Sequence, residues 1–408
     1  MAFIVAFSQF LLSLINPSVQ LMSVLRNTRE NKIKLYIVKS CLNTMKAIAI
    51  TPGVPETQII EIDEPQITAP NQVKLQVLEV GICGTDREVA EGGRADAPAH
   101  SSHLVIGHEV FGRIVEVGAE VSSVRKGDYA ALTVRRGCGK CEPCLLGRSD
   151  MCYTSNYTER GIKARHGYQT EYVVDQEQYV VKVPEQVKML GVLAEPMSVV
   201  QKAIIEAINI QTGRLPTKGD SWISGKRVIV AGIGAIGILA VIALRLRGAE
   251  VIGIDIVDED SSRPRLLKQL GGSYINSRRF EVTDLDDKFG QIDMIVEAAG
   301  VAKLGFELID ALGINGIYVM TGIPGEGKPV CIAGGETMSQ IVLKNQVIMG
   351  SVNASAQHFE SGIADLEKAR ERWAELIDGF ITARVSYTEF AKALDMRSED
   401  DIKTVVTW

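Results

Sequence analysis

The sequence predicts an α/β protein in which a β-rich domain is joined to an open, mostly parallel sheet covered by helices. Runs of Val, Ile and Leu with glycine at their ends, at 73–80 and 110–117, indicate strands of the first domain. From 227 onward, short apolar strands alternate with helical patterns, an order typical of a parallel sheet. A chain of 408 residues is long enough for two domains with a large core.

Composition and charge narrow the class of protein. Hydrophobic residues make up 46% and charged residues 23%, as in ordinary globular proteins. The net charge of −6 disfavours a nucleic-acid partner, which would select a basic face. Seven cysteines, four of them in one short segment, fit metal binding in a reducing compartment better than a disulfide framework. We therefore expect a cytoplasmic protein.

The N-terminal segment 1–44 differs from the rest of the chain. Its apolar stretch 2–15 is interrupted by polar residues and is short for a membrane span. It also lacks the basic region and the cleavage site of a secretory signal. Met45 then opens the strand-like run MKAIAITPG. We expect 1–44 to be an upstream start artefact or a disordered extension, with membrane association as the alternative.

Local patterns place the remaining elements. Residues 193–210 have helical periodicity, and the polar stretch 211–224 predicts a break in regular structure. The segment GICGTD at 81–86 predicts a loop that carries Cys83. Later strands of the parallel sheet are predicted at 293–298, 316–322 and 346–352.

Four cysteines follow one another at the spacing C-x2-C-x2-C-x7-C. Short loops of this kind bring four thiolates around one Zn²⁺, and four sulfur ligands leave no position for water or substrate. The sequence therefore predicts a structural zinc site at Cys138, Cys141, Cys144 and Cys152.

A second, mixed set of ligands predicts an open zinc site. Cys83 and His108 offer a thiolate and an imidazole, and Glu109 or the distant Glu195 could add a carboxylate. Such a set leaves room for an exchangeable water or a substrate alcohol, so it is typical of a catalytic zinc. The residues alone do not decide between the two glutamates.

The segment GIGAIG carries a dinucleotide-binding fingerprint. It follows the predicted strand 227–231 and opens a helix at 238–246, with the next strand at 251–256. The glycines permit a tight turn, a close approach to a pyrophosphate and close packing of helix against strand, while the helix N-terminus offers N–H groups. We expect Gly232, Gly234, Ala235, Ile236 and Gly237 to bind the cofactor.

Asp255 bears on the choice of cofactor. It stands 18 residues beyond Gly237 at the end of the second strand, where a carboxylate binds ribose hydroxyls and repels a 2′-phosphate. The acidic run 258–260 adds like charge, whereas Arg263 and Arg265 could offset it. The sequence therefore favours NAD, with NADP as the alternative.

Together these motifs, in this order, resemble the zinc-containing medium-chain dehydrogenases. GICGTD, IGHEVFGRIVEVG, the four-cysteine loop, AEP at 194–196 and GIGAIG all match, as do TERGI, HGYQTEY and VLKNQVIMGSVNASAQHF for the glucose 1-dehydrogenase branch best known from archaea. The resemblance implies a GroES-like catalytic domain at 45–196, a Rossmann domain at 197–351 and a C-terminal return at 352–408.

The resemblance also implies roles for single residues. The proton-relay hydroxyl falls on Thr85, beside the catalytic ligands Cys83 and His108, and Glu159 and Asn353 would lie near the sugar. The implied reaction is oxidation of β-D-glucose to glucono-1,5-lactone, with hydride transfer to NAD(P)⁺. Lys344 departs from family members that carry histidine, which leaves the sugar spectrum open.

Other functions stay open at this point. A polyol, secondary-alcohol or threonine dehydrogenase would use the same metal and cofactor with a different pocket. A nucleotide-binding sensor without turnover is the alternative from another class, although it would have no use for an open zinc. The family further implies two zinc ions per chain, a small-molecule sugar as substrate, and a homodimer or homotetramer without a membrane partner.

Overall fold

The computed structural model describes residues 22–23, 36–37, 43–216, 222–279, 285–325 and 329–408. The chain divides into two units, one formed by 1–45 with 62–64 and the other by 46–61 with 65–408. In the first unit, the strands β1 (Met22–Ser23) and β2 (Tyr36–Ile37) pair antiparallel. The remainder of the predicted extension 1–44 lies outside the described residues, apart from 43 and 44.

The other elements are distributed along the whole chain. The strands are β3 (Thr44–Ile50), β4 (Thr57–Asp63), β5 (Gln72–Ile82), β6 (Leu104–Val105), β7 (Glu109–Val117), β8 (Tyr129–Leu132), β9 (Arg135–Arg136), β10 (Thr158–Arg160), β11 (Ala164–Arg165), β12 (Tyr172–Gln176), β13 (Val180–Val183), β14 (Arg227–Ala231), β15 (Glu250–Asp255), β16 (Ser273–Asn276), β17 (Met294–Glu297), β18 (Ile317–Met320), β19 (Val347–Gly350), β20 (Ile381–Ser386) and β21 (Lys403–Thr407). The helices are α1 (Gly84–Ala90), α2 (Glu142–Leu145), α3 (Ala194–Arg214), α4 (Ala235–Leu246), α5 (Ser262–Gln269), α6 (Leu285–Phe289), α7 (Ala302–Ala311), α8 (Gly334–Leu343), α9 (Ala356–Asp378) and α10 (Phe390–Asp395).

The β-rich part is organised around the long strand β5. This strand pairs antiparallel with β7, β12 and β21, and the sheet continues through β8 and β13 on one side and β20 on the other. Its apolar side chains, together with those of β7 and β8, form a buried cluster that includes Val73, Leu75 and Ile114. The C-terminal strands β20 and β21 therefore belong to this first sheet.

The second sheet has the predicted parallel order. Its six strands run β16-β15-β14-β17-β18-β19, and every neighbouring pair is parallel. Along β14, Val228 and Val230 join one hydrophobic core while Ile229 and Ala231 join another. Alternate side chains of a strand point to opposite faces, so both faces of this sheet are covered. The result is a doubly wound sheet in the strand order of a Rossmann fold.

Two sequence-based predictions of local structure are wrong. The segment 81–86 is not a loop throughout, because α1 begins at Gly84 with Cys83 as its N-cap. The break predicted from 211 onward begins later, because α3 continues to Arg214. In both cases the side chains supply hydrogen bonds that the composition does not reveal: Asp86 caps α1, and Gln211 on α3 donates to the carbonyl of Asn315, 2.7 Å away.

Within the described ranges, no helix is long and apolar enough to cross a membrane. The longest helix, α9, is amphipathic, with a buried face that includes Phe359, Ile363 and Leu366 against the core.

Candidate active site

The sheet register brings Cys83 and His108 together. Strand β5 ends at Ile82, directly before Cys83, and β7 begins at Glu109, directly after His108. Because β5 and β7 are antiparallel and Gly81 faces Glu109, the end of one strand lies beside the start of the other. The Sγ atom of Cys83 is 3.2 Å from Nε2 of His108.

Asp86 fixes both of these side chains. Its carboxylate accepts the backbone N–H of Cys83 at 2.9 Å, and its Oδ1 lies 3.5 Å from Nδ1 of His108. A carboxylate behind a histidine sets the orientation of the ring, here with Nε2 toward Cys83. Burial raises the pKa of the Cys83 thiol, so ionisation of this thiol requires a nearby positive charge.

The two candidate carboxylates have different surroundings. Glu109 forms a buried ion pair with Lys403, which also donates to the carbonyl of Ile82 at 3.0 Å. A Cβ at Gly81 would overlap the Glu109 carboxylate, so only glycine leaves space for this pair. Glu195 lies in the first turn of α3, and burial raises its pKa to about 7. A buried carboxyl in this state requires a cation in order to ionise.

These groups fit a metal ion. Ligand atoms of His108, Glu109 and Glu195 all lie within 4.8 Å of one another, as do those of Cys83, Asp86 and His108. A thiolate, an imidazole and a carboxylate are the donor set of open zinc sites. Burial raises the pKa values of both Cys83 and Glu195, and the charge of a bound dication would offset that effect by stabilising the ionised ligands.

The four-cysteine loop brings its four sulfur atoms together at distances that fit one metal ion. The four Sγ atoms lie within 4.8 Å of one another, and Cys141 and Cys152 are 3.9 Å apart. A tetrahedron with Zn–S bonds of about 2.3 Å separates its sulfurs by about 3.8 Å. The Sγ of Cys138 accepts the backbone N–H groups of Lys140 and Cys141, and a Cβ at Gly137 would overlap the Sγ of Cys144.

The pKa values of these thiols diverge. A hydrogen bond from Thr154 lowers the pKa of Cys138 to about 5, whereas burial raises that of Cys144 to about 12. Adjacent thiolates repel one another, so they cannot all ionise at neutral pH without a cation. The positive charge of a bound zinc ion would offset this repulsion. Metal binding would therefore deprotonate the cysteine ligands.

The three glycines of the fingerprint have distinct surroundings. Gly232 has a φ of 84°, and a Cβ there would overlap the backbone of Ala298 and Ala299. A Cβ at Gly237 would overlap the carbonyl oxygen of Gly232, so the helix can pack on the turn only through glycine. Gly234 caps α4 and faces open space. This space lies before the N–H groups at the helix N-terminus, which begins with Ala235 and Ile236.

Asp255 closes the same turn. Its Oδ2 accepts the N–H of Ile233 at 2.9 Å, and its Oδ1 accepts the N–H of Ile256 at 2.6 Å. The carboxylate is therefore held at the end of β15 beside the glycine turn. Arg263, one of the arginines that could offset its charge, donates instead to the carbonyl of Ser398.

Glu159 and Asn353 contact each other directly. Nδ2 of Asn353 donates to Oε1 of Glu159 at 2.6 Å, although the two residues lie on β10 and after β19. The same Oε1 accepts Nε and Nη2 of Arg135 at 3.1 and 3.0 Å. Sequence reasoning did not find Arg135, whose only signal is a charged pair, Arg135-Arg136, inside a predicted β-rich region.

Thr85 and Lys344 are two further residues that the sequence singles out. Thr85 is half-buried in the first turn of α1, and its N–H donates to the Sγ of Cys83 at 3.3 Å. Lys344 follows α8, and its ammonium lies 3.4 Å from the carbonyl of Leu312, which it can reach as a donor. Thr85 thus lies beside the Cys83–His108 pair.

Comparison with known proteins identifies the family. Residues 69–185 match the alcohol dehydrogenase GroES-like domain, and residues 188–408 match the family described as glucose dehydrogenase C-terminus. Glucose 1-dehydrogenase of Methanocella arvoryzae is 36% identical over 364 residues, which cover 89% of this chain and 99% of that protein. The chain belongs to the glucose 1-dehydrogenase branch of the zinc-containing medium-chain dehydrogenases.

Other relatives agree with this assignment. Glucose 1-dehydrogenase of Thermoproteus tenax is 34% identical over 371 residues, covering 89% of this chain and 99% of that protein. The structure of Haloferax mediterranei glucose dehydrogenase with NADP, Zn and gluconolactone superposes with a TM-score of 0.80 at 29% identity. The superposition covers 89% of this chain and 99% of the Haloferax chain. The predicted fold class, a GroES-like domain with a Rossmann domain, is confirmed. Membership of this enzyme family also disfavours the nucleotide-binding sensor.

Proposed function

We propose that this protein oxidises β-D-glucose at C1 to glucono-1,5-lactone, with NAD(P)⁺ as the hydride acceptor. The observation that carries the proposal is the hydrogen bond between Glu159 and Asn353. It joins, in one polar site, the two residues that the family resemblance assigns to the sugar. A dehydrogenase of simple alcohols has no need for a partly buried acid–amide pair that could bind additional hydroxyl groups.

The metal-binding residues are proposed as two separate sets. Cys138, Cys141, Cys144 and Cys152 would hold a structural zinc, and Cys83 and His108 would hold the catalytic zinc together with a glutamate. Glu195 is the better candidate for a direct ligand, because the charge of Glu109 is already matched by Lys403. Glu109 would then lie near the ion without being a direct ligand.

The chain's own groups would prepare the substrate for reaction. When bound, zinc supplies Lewis-acid polarisation of the C1 hydroxyl, and the nicotinamide accepts the hydride. Thr85, in the half-buried first turn of α1, would take the hydroxyl proton and pass it toward solvent. Glu159 and Asn353 would bind other hydroxyls of the sugar and so orient C1.

The cofactor is proposed to bind at the glycine turn. Gly232, Gly234 and Gly237 shape the turn, and the N–H groups of Ala235 and Ile236 would face the pyrophosphate. Asp255 would accept ribose hydroxyls and favour NAD, because its carboxylate is held beside the turn while Arg263 is engaged elsewhere. NADP remains the alternative, since the Haloferax relative was crystallised with it.

The proposed domain bounds are 45–196, 197–351 and 352–408. Their support is that β19 ends at Gly350 and that β20 and β21 join the first sheet. The boundary between the first two domains, at 196–197, falls within the continuous helix α3, so this helix would belong to both domains.

A homodimer or homotetramer is the proposed assembly. Strand β19 lies at the edge of the parallel sheet, and no residue of the neighbouring helix α8 is buried. Met338, Val342 and Leu343 on this helix are 67%, 66% and 80% exposed. An open strand edge beside apolar side chains can pair with a second copy around a twofold axis.

Initial rates of nicotinamide reduction test the proposal. Zinc-replete protein would be assayed with glucose, galactose, xylose, sorbitol, ethanol and threonine, each with NAD⁺ and NADP⁺. We expect the highest kcat/KM on an aldose and with NAD⁺. Faster turnover of sorbitol, ethanol or threonine would contradict the roles proposed for Glu159 and Asn353.

A further inference from the structure

We propose that Lys202 is a positioning residue for the sugar, because it ties the backbone before Asn353 to the four-cysteine loop that supports Glu159. The inference rests on the proposed function and deepens it. Within the described residues, Lys202 itself touches neither the metal-binding side chains nor the glycine turn. Its effect would be exerted through the residues that surround the substrate.

The ammonium of Lys202 lies in a fully protein-lined position. Lys202 projects from α3 and is only 2% exposed. Its Nζ is 3.0 Å from Oδ2 of Asp150, 2.9 Å from the carbonyl oxygen of Val352 and 3.7 Å from Sδ of Met151. A lysine ammonium has three N–H donors, and these contacts use all of them.

Asp150 transmits this constraint to the sugar-binding acid. It stands in the four-cysteine loop, two residues before Cys152, and its side chain is completely buried. While its carboxylate accepts Lys202, its backbone carbonyl accepts Nη1 of Arg135 at 2.8 Å. Arg135 then donates twice to Oε1 of Glu159. A guanidinium with three of its donors fixed holds that carboxylate in one orientation.

The contacts form a closed ring. Asn353, which follows Val352 directly, donates to the same Oε1 of Glu159. Asn353 has a φ of 61°, in the left-handed region that asparagine adopts more readily than most non-glycine residues. The backbone between β19 and α9 has no ladder or helix of its own at this residue. Lys202 on one side and Glu159 on the other hold it, together with the N–H of Ser351, which donates to the carbonyl of Met320 at 2.9 Å.

The ring leaves a defined set of atoms for the substrate. Three donors converge on Oε1 of Glu159, and no other described residue donates to its Oε2 or to the amide oxygen of Asn353, so these two atoms are proposed as acceptors for sugar hydroxyls. Both acceptors move if the carbonyl of Val352 is released. Lys202 thus determines the spacing of the sugar contacts without contributing one.

Substitution of Lys202 tests the proposal. Lys202→Met keeps the length of the buried side chain, and Asp150 keeps its ion pair with Arg148. We expect the KM for glucose to rise about tenfold, and the KM for the cofactor to change less than about twofold, because only the sugar contacts shift. Lys226→Met, which removes a partly exposed lysine paired with Asp293, is the matched control and should change neither value.

A binding measurement and two further variants separate positioning from a loss of structure. Glucose titrated into the protein holding reduced cofactor, which cannot turn over, should bind about tenfold more weakly to Lys202→Met, in parallel with the change in KM. In the double variant Lys202→Met with Asp150→Asn, the effect should not be the sum of the single effects, because both residues act through one ring. Lys202→Arg, which keeps the charge, should restore part of the affinity.

The outcomes distinguish this inference from the proposed function. If the unmodified protein turns over no aldose, the proposed function fails and the inference fails with it. If it oxidises glucose but Lys202→Met leaves sugar affinity unchanged, only the inference is overturned. A loss of bound zinc, or an equal rise in the KM for the cofactor, would also overturn it, since either result indicates general damage.

Discussion

Buried charge distinguishes two glutamates that the sequence presents as equal. The charge of Glu109 is balanced by Lys403 in an ion pair, whereas burial raises the pKa of Glu195 to about 7. No pattern near Glu109 reveals Lys403, because the pairing of β21 with β5 brings it there from the end of the chain. The same limit applies to Arg135, whose role depends on Glu159 and Asn353 meeting across two sheets.

Removal of each glutamate should have a different effect on zinc. We expect Glu195→Gln to lose the proposed catalytic ion on dialysis while the four-cysteine loop keeps its own, since the variant lacks a proposed direct ligand. Glu109→Gln would leave Lys403 buried without an anion, which should lower the free energy of unfolding by about 3–5 kcal/mol. The control is therefore the double variant Glu109→Gln with Lys403→Met, which should retain both ions by elemental analysis. Loss of zinc from the double variant but not from Glu195→Gln would reverse the assignment.

A second group of buried charges predicts how stability depends on pH. Burial alone would raise the pKa of Asp175, but Arg160 and Arg136 outweigh it and hold that pKa well below its ordinary value. The folded pKa is lowered, so this contribution is complete above the unfolded value of about 3.9 and is lost as the pH falls below it. The free energy of unfolding should accordingly decrease steeply below about pH 4.

Asp175→Asn should lower the free energy of unfolding at pH 7 by about 3–5 kcal/mol and flatten the acid dependence, because two buried arginines lose their anion. Asp128→Asn is the control. Its carboxylate pairs with the half-exposed Lys182, and such pairs contribute about 0–1 kcal/mol. Urea unfolding between pH 2 and 7 measures both. An unchanged acid slope in Asp175→Asn would show that other carboxylates determine it.

At the scale of elements, the sequence predicted the strands and helices that neighbouring residues specify. It did not predict helix ends that depend on a side-chain cap or on a hydrogen bond to a distant residue. The strand–turn–helix at 227–246 is specified by adjacent residues, and β14 and α4 have nearly the predicted bounds. The sequence predicts a loop at 81–86, which contains two glycines, whereas a helix begins at Gly84. Asp86 caps this helix, and the cap places Cys83 beside His108.

The glycine turn allows folding and cofactor binding to be separated. Gly237→Ala should destabilise the protein, because the new Cβ would overlap the carbonyl of Gly232. Gly234→Ala meets open space in the folded chain, so its melting temperature should stay near that of the unmodified protein. Its KM for the cofactor should nevertheless rise about tenfold or more, since the methyl group occupies the approach of the pyrophosphate. Equal cofactor affinity in Gly234→Ala would place the phosphates elsewhere.

For the whole molecule, the order of motifs was sufficient to predict the fold class and the family, because both depend on several local patterns in sequence. The assembly depends on a surface, which patterns describe poorly. On that surface, we expect Leu343→Glu to lower the molar mass measured by light scattering, because it places a charge on the apolar face of α8 beside β19. Met189→Glu, at an exposed methionine in another part of the fold, should leave the mass unchanged.

The central claim is that hydride leaves C1 of an aldose and reaches the nicotinamide. The most direct measurement uses glucose deuterated at C1 and analyses the reduced cofactor by mass spectrometry. Transfer of the label to the nicotinamide ring, with gluconolactone or gluconate as the product, is the result we expect. Reduced cofactor without deuterium, or a product oxidised at another carbon, would contradict the proposed function.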